Sequence, residues 1–202
     1  MAANWSAYEF QPSFILGFHG CAKIMGEAIL RGDEPHLKWS EKDYDWLGHG
    51  TYFWEGDPSR AVAWAEHRKA EGKIAAPFVL GAIIDLRRCL DLFNHDSLSQ
   101  VKDAYAELKR TLKVVGQPLP KNLGPTPDKA GRRLDCAVMN YLHEYRKRRG
   151  EESYDSVLGP FLEGQALYTR AGFRSHNHIQ ICVRNPNCVK GYFRPITRAS
   201  AI

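Results

Sequence analysis

A histidine followed by a glycine, His19-Gly20, ends the first apolar run of the chain. A histidine at a strand end can hydrogen-bond a ligand hydroxyl, and a glycine lets a ligand approach the backbone closely. The competing interpretation is a histidine that bonds only the local backbone. For this pair taken alone, that interpretation is the one we favour.

A second candidate segment, residues 47–54, places one residue between Gly48 and Gly50 and then three aromatic residues in a row. A flat ring at the edge of a cleft can stack on a planar heterocycle. Because successive side chains of a strand point to opposite faces, one of Tyr52 and Phe53 can reach a cleft while the other is buried. We assign Phe53 to the core. The alternative is a strand whose aromatic side chains all lie in the core.

Residues 176–184 predict a strand with two unlike faces, because polar side chains stand at even positions and apolar ones at odd positions. The apolar face must pack on the core, so the polar face looks outward or into a cleft. Two histidines and a glutamine are unusual on a plain solvated face. The polar positions are His176, His178, Gln180, Cys182 and Arg184.

The basic run Arg146-Lys147-Arg148-Arg149 suggests nucleic-acid binding. It also falls in the last turn of a predicted helix, just before Gly150. Cations there offset the helix dipole, and glycine supplies the C-cap. We favour the capping role and keep nucleic acid as the alternative.

The residue patterns predict four helices and five strands. The helices cover residues 22–30, 57–70, 98–114 and 132–149, the second opened by an Asp57 N-cap and Pro58. The strands cover residues 14–18, 50–54, 78–86, 179–184 and 189–194. Helices are inserted among the strands without strict alternation, which favours an α+β fold. We read the proline-rich residues 117–128 as a surface loop within one domain covering residues 1–202.

The composition is globular, with 202 residues, 44% hydrophobic and 25% charged. It excludes disordered, collagen-like and coiled-coil chains, and no membrane span or signal peptide is visible. The five cysteines are therefore predicted to be reduced thiols in the cytoplasm. A zinc site from His176, His178, Cys182 and Cys188 fits no standard spacing. The net charge of +5 permits an anionic partner without requiring one.

Together these segments resemble the ADP-ribosyltransferase superfamily, in the His-Tyr-Glu branch that includes the poly(ADP-ribose) polymerases and diphtheria-type toxins. The branch has a His-Gly pair on a first strand, matched here by His19-Gly20. It then has a Gly-x-Gly-x-Tyr-Phe strand and an alanine-rich helix, matched by residues 48–53 and the helix that follows. Its late glutamate is replaced here by Gln180. The resemblance implies a split β-sandwich of two small sheets with surrounding helices.

The resemblance implies an NAD-dependent mono-ADP-ribosyltransferase, with NAD as co-substrate and no metal. It assigns NAD contacts to His19, Gly20, Gly50, Tyr52 and Trp64. His19 would hold a ribose, and the Gly20 backbone would meet the carboxamide. Tyr52 would stack on nicotinamide, and Trp64 would line that pocket.

Gln180 keeps the hydrogen bond that the family's glutamate makes to a ribose hydroxyl, but it loses the charge. Losing a charge that faces an oxocarbenium-like transition state costs about a hundred- to a thousandfold in rate. Three outcomes stay open: Glu163 supplies the charge, Gln180 suffices for mono-transfer, or the domain binds NAD or ADP-ribose without turnover. We expect His19, Tyr52 and Gln180 to wall one cleft.

By analogy with the family, the protein would be an intracellular toxin or defence effector that modifies nucleic acid or protein. An antitoxin or inhibitor protein would be a further partner, and no membrane partner is expected. Two other classes compete with this interpretation. One is a non-catalytic NAD or ADP-ribose binding module, and the other is a nucleic-acid-binding protein with a vestigial cleft.

Overall fold

The computed structural model describes residues 14–124 and 131–196. These residues contain seven strands and four α-helices. In chain order they are β1 (Phe14–Ala22), α1 (Lys23–Arg31), β2 (Thr51–Glu55), α2 (Pro58–Ala70), β3 (Pro77–Asp85), β4 (Cys89–Asp91), α3 (His95–Val114), α4 (Arg133–Arg148), β5 (Ser156–Phe161), β6 (His178–Val183) and β7 (Val189–Phe193). The fold is mixed α+β, as predicted.

All four predicted helices and all five predicted strands are present, most with ends shifted by one to three residues. The exception is β1, which continues to Ala22, so His19 and Gly20 lie inside the strand and not at its end. The patterns missed β4, which has three residues, and β5, which contains Gly159 and Pro160. Part of the predicted loop, residues 125–128, lies outside the described residues. No helix within residues 14–124 and 131–196 is long and apolar enough to span a bilayer.

The seven strands form one sheet in the order β4-β5-β6-β2-β1-β3-β7. Neighbouring strands are antiparallel except β4 and β5, which are parallel. Hydrophobic side chains cover both faces. On one face, here called the α1 face, Phe53, Leu80 and Ile181 pack with Ile29 of α1. On the other, the α2–α4 face, the helices α2, α3 and α4 cover the sheet.

The joint between β1 and β2 is the shortest antiparallel ladder of the sheet. It contains two residue pairs, Gly17 with Glu55 and Phe18 with Trp54, whereas β1 and β3 are paired along their whole length. Beyond Phe18 the two strands part. The resemblance led us to expect two small sheets. The hydrogen bonds instead connect all seven strands into one sheet, which includes this short joint.

Candidate functional site

His19 lies on the α1 face, at the point where β1 leaves β2. Its Nδ1 bonds the carbonyl oxygen of Tyr52 at 2.7 Å, and its ring meets Phe53 edge-on at 5.9 Å. A carbonyl only accepts, so Nδ1 carries the proton, and Nε2 has no partner among the described residues. Burial lowers the pKa of His19, so its ring is neutral at pH 7.

The two glycines predicted to bind NAD are packed against protein atoms. A Cβ added at Gly20 would lie 2.3 Å from the carbonyl oxygen of Ala61 in α2. A Cβ added at Gly50 would lie 2.4 Å from Sγ of Cys182. In both places the close approach that glycine permits is made by a neighbouring element. Neither glycine opens its backbone to a ligand on that side.

Tyr52 closes the turn that precedes β2. Its hydroxyl donates to the carbonyl oxygen of Gly48 at 2.7 Å and accepts from the backbone N–H of Leu47 at 3.0 Å. The ring packs against the hydrophobic core cluster between the sheet and helices α3 and α4. Burial raises the pKa of the Tyr52 hydroxyl. The Tyr52 hydroxyl is therefore used within the chain, and its ring is only partly exposed. Stacking of this ring on nicotinamide stays a prediction. Phe53 is fully buried, as predicted.

His19 and Gln180 lie on opposite faces of the sheet. Phe18 pairs with Trp54, and Trp54 pairs with Gln180, so these three side chains share the α2–α4 face. His19 follows Phe18 in the same strand and points the other way. The three predicted residues do stand on three strands, but the expectation that His19, Tyr52 and Gln180 wall one cleft is wrong.

Gln180 sits in a group of rings that we call the aromatic cluster: Trp46, Trp54, Trp64, Phe161 and His178. The ring centroids of neighbouring members lie between 4.9 and 6.3 Å apart. Oε1 of Gln180 accepts from Nε1 of Trp46 at 2.6 Å. The side-chain amide nitrogen of Gln180 has no partner among the described residues, so its N–H groups can meet a ligand. Trp64 is the outer ring, 40% exposed.

Two ion pairs flank the aromatic cluster. Arg60 of α2 contacts Glu163 at 2.7 Å, with side chains 19% and 33% exposed. Arg132 lies over the ring of Phe161, 4.4 Å from its centroid, and pairs with Asp135 at 3.4 Å. The charge of Arg60 lowers the pKa of His178, and the charge of Glu163 raises it. The sequence left the location of Glu163 open, and the structure brings it into this site as one half of an ion pair.

Four polar atoms around Gln180 are buried without a partner. They are Nε1 of Trp54, Nε2 of His178, Nε of Arg60 and Nε of Arg132. Buried polar atoms are normally hydrogen-bonded, because leaving one unsatisfied costs about 1–3 kcal/mol. Their concentration in one place distinguishes this surface from an ordinary sheet–helix interface. Sequence reasoning missed Trp46, Arg60 and Arg132, because each comes from a separate segment with no motif of its own.

The basic run completes the end of α4. The backbone N–H of Gly150, at a φ of +69°, donates to the carbonyl oxygen of Lys147 at 3.1 Å. Arg146 and Arg149 form ion pairs with Glu151 at 3.0 and 2.7 Å. The capping role favoured from the sequence is confirmed. These two arginines are already paired within the chain.

Comparisons with known proteins identify no relative of this chain. No cluster of three or more His, Cys, Asp or Glu side chains in the described ranges could hold a metal ion. The features of the chain that bear on function are the aromatic cluster, Gln180 and the flanking ion pairs. The chain matches no protein-family model, no curated protein and no solved structure.

Proposed function

We propose that the protein is an NAD-dependent mono-ADP-ribosyltransferase whose reaction takes place on the α2–α4 face. The observation that carries the proposal is Gln180, anchored through Oε1 by Trp46 with its amide N–H groups free, inside the aromatic cluster. By the resemblance, Gln180 matches the position of the glutamate in the His-Tyr-Glu branch. The short joint between β1 and β2 is compatible with the split sandwich of that superfamily.

In the proposed reaction an acceptor attacks C1′ of the nicotinamide ribose, and the bond from C1′ to the nicotinamide nitrogen breaks with its electron pair leaving on nicotinamide. An amide N–H of Gln180 donates to a ribose hydroxyl oxygen. The exposed ring of Trp64 stacks on the nicotinamide. Aromatic faces and the Glu163 carboxylate stabilise the positive charge that develops on the sugar.

A second candidate, a non-catalytic NAD or ADP-ribose binding module, is favoured by one specific observation. Residue 180 is a glutamine, and Glu163, the carboxylate proposed to replace the family's glutamate, is paired with Arg60. A neutral site can bind the dinucleotide while giving little help to the cationic transition state. Turnover therefore separates the two candidates.

We expect the purified protein to release nicotinamide from NAD and to transfer an adenylate label to nucleic acid or protein in a mixed extract. Gln180→Ala should weaken NAD binding and lower turnover by about tenfold or more, because a hydrogen bond made in the ground state is lost. Calorimetry and nicotinamide release measure the two effects. The matched control is Gln117→Ala, at an exposed position after α3.

The result of this experiment also decides between the candidates. Binding of NAD without any release of nicotinamide would establish the binding module. Release without transfer of the label would mean hydrolysis. A wild-type protein that neither binds NAD nor releases nicotinamide would overturn both candidates.

Glu163→Gln is expected to lower turnover while NAD binding persists, because a charge that acts mainly in the transition state is removed without a change of shape. The same change leaves the partly buried Arg60 without its carboxylate. We expect the free energy of unfolding to fall by about 1–3 kcal/mol. Urea unfolding and nicotinamide release measure these two effects.

The double variant Arg60→Gln with Glu163→Gln is the control for this prediction. It removes both charges, so stability should recover while turnover stays low. Full turnover in Glu163→Gln would eliminate Glu163 as the carboxylate that replaces the family's glutamate.

A further inference from the structure

His178 has one ring nitrogen fixed and the other unused. Its Nδ1 bonds the backbone carbonyl oxygen of His176 at 2.7 Å, so Nδ1 carries the proton and Nε2 holds a lone pair. Nε2 is buried and has no partner. The ring is stacked on Phe161 at 4.9 Å and meets the edge of Trp54 at 6.3 Å. Backbone and packing thus hold the lone pair in one direction.

The surroundings of His178 keep its ring neutral. Burial is the largest influence and lowers the pKa of His178. The positive charge of Arg60 on α2 lowers it further. The bond to the His176 carbonyl and the negative charges of Glu163 and of Asp57, which caps α2, raise it and only partly compensate. The lone pair on Nε2 is therefore available at pH 7.

The other polar groups of the site are poorly suited to accept a proton. The Gln180 amide has no basic atom, and its Oε1 already accepts from Trp46. The Glu163 carboxylate is held by Arg60. Imidazole is the commonest general base in enzymes because its pKa lies near the working pH. Among the described residues around Gln180, Nε2 of His178 is a basic atom that the contacts within the chain leave unused.

The neighbouring indole indicates what kind of group would meet His178. Nε1 of Trp54 is a buried donor without a partner, and the ring that carries it lies 6.3 Å, centroid to centroid, from the His178 ring with its buried acceptor. A hydroxyl satisfies both, because its oxygen accepts from the indole N–H while its own hydrogen is donated to the imidazole. Both atoms are buried, so the inference requires adjacent side chains to move aside when the hydroxyl binds.

We propose that His178 is the general base of the proposed transferase and that its acceptor is a hydroxyl group. The inference rests on the proposed function. The acceptor oxygen forms a bond to C1′ of the ribose while its proton passes to Nε2 of His178. The bond from C1′ to nicotinamide breaks, and its electron pair leaves on nicotinamide. The imidazolium then releases the proton to solvent, which completes the balance.

The test uses the full chain with NAD and methanol as the hydroxyl probe, with formation of methyl ADP-ribose and release of nicotinamide measured over a range of pH. His178→Phe keeps the stacked ring and removes the base, and His178→Gln keeps an acceptor that is not basic. Both should lower transfer to methanol by about 10²- to 10⁴-fold. Both should also abolish the fall in rate that we expect of the wild type on acidification, which should lie below the ordinary histidine range because burial lowers the pKa of His178. NAD affinity should stay within about twofold.

His176→Gln is the matched control, because the neighbouring histidine contributes only its backbone carbonyl to the arrangement. Its rate and pH profile should match those of the wild type. Should the substitutions disturb folding, addition of imidazole to His178→Ala decides the question. Recovery of transfer to methanol supports His178 as the general base, and no recovery overturns that role.

The outcomes that overturn the inference are distinct from those that overturn the proposed function. If the wild type is active and His178→Phe keeps both its rate and its loss of rate in acid, His178 is not the general base. The proposed transferase activity is unaffected by that result. Loss of NAD binding in both variants would assign His178 to NAD binding and overturn its role as the general base. A wild type that releases no nicotinamide overturns the transferase and the base together.

Discussion

His143→Leu is expected to raise the stability of the protein and to flatten its decline in acid. His143 is buried in α4, 4% exposed, and neither ring nitrogen has a partner. Burial, helped by the charges of Arg184 and Arg146, lowers the pKa of His143 from 6.5 to about 3. The unfolded chain therefore binds one more proton between these pH values. Stability falls with decreasing pH by about 1.4 kcal/mol per pH unit from this group.

Urea unfolding at a series of pH values checks this prediction. Burial also lowers the pKa values of His19 and His178, which contribute to the decline in the same direction, so the informative quantity is the difference between variant and wild type. His95→Gln, at the exposed start of α3, is the matched control variant. Parallel curves for His143→Leu and the wild type would contradict the prediction.

Gly20→Ala is expected to lower the free energy of unfolding by about 1–3 kcal/mol or more, because the added methyl group meets backbone that cannot rotate away. The new Cβ would stand 2.3 Å from the carbonyl oxygen of Ala61 and 3.2 Å from the backbone nitrogen of Ala65. Helix α2 must shift, and it carries Arg60 and Trp64. NAD affinity and turnover should therefore fall as well. Thermal unfolding and calorimetry with NAD measure both consequences.

Gly191→Ala is the control for Gly20→Ala. Gly191 lies in β7, where an added Cβ meets no atom within 4 Å. We expect a change of about 0.5 kcal/mol or less and unaltered NAD binding. Equal stability of the two alanine variants would show that α2 adapts to Gly20→Ala without cost.

The elements that could be predicted are those whose signals lie within a few neighbouring residues. The start of α2 is one example, since the Asp57 side chain accepts from the backbone N–H of Arg60 at 3.0 Å as the cap predicts. The strand β5 is the opposite example. Gly159 and Pro160 argue locally against a strand, and β5 forms because β4 and β6 pair with it on both sides.

The candidate site could be predicted only in part, for the same reason. The alternation along β6 correctly placed Gln180 and His178 on one face and the isoleucines on the other. The alternation along β6 did not predict that α2 and α4 pack against that face. The sequence could not show what surrounds Tyr52 and Gly20, because a ring or a glycine near a cleft has the same local pattern whether a ligand or another element fills the space beside it.

The sequence by itself determined the helices, most strands, the α+β class and the face that each side chain takes within its own strand, because each depends on local periodicity and caps. Only the tertiary structure decided how the strands align, and a shift of one residue reverses every side chain between faces. That alignment put His19 and Gln180 on opposite faces. It also joined Arg60 to Glu163, 103 residues apart, and Trp46 to Gln180, 134 residues apart. Contacts between such distant segments have no local signal, because they form only when the whole sheet is assembled.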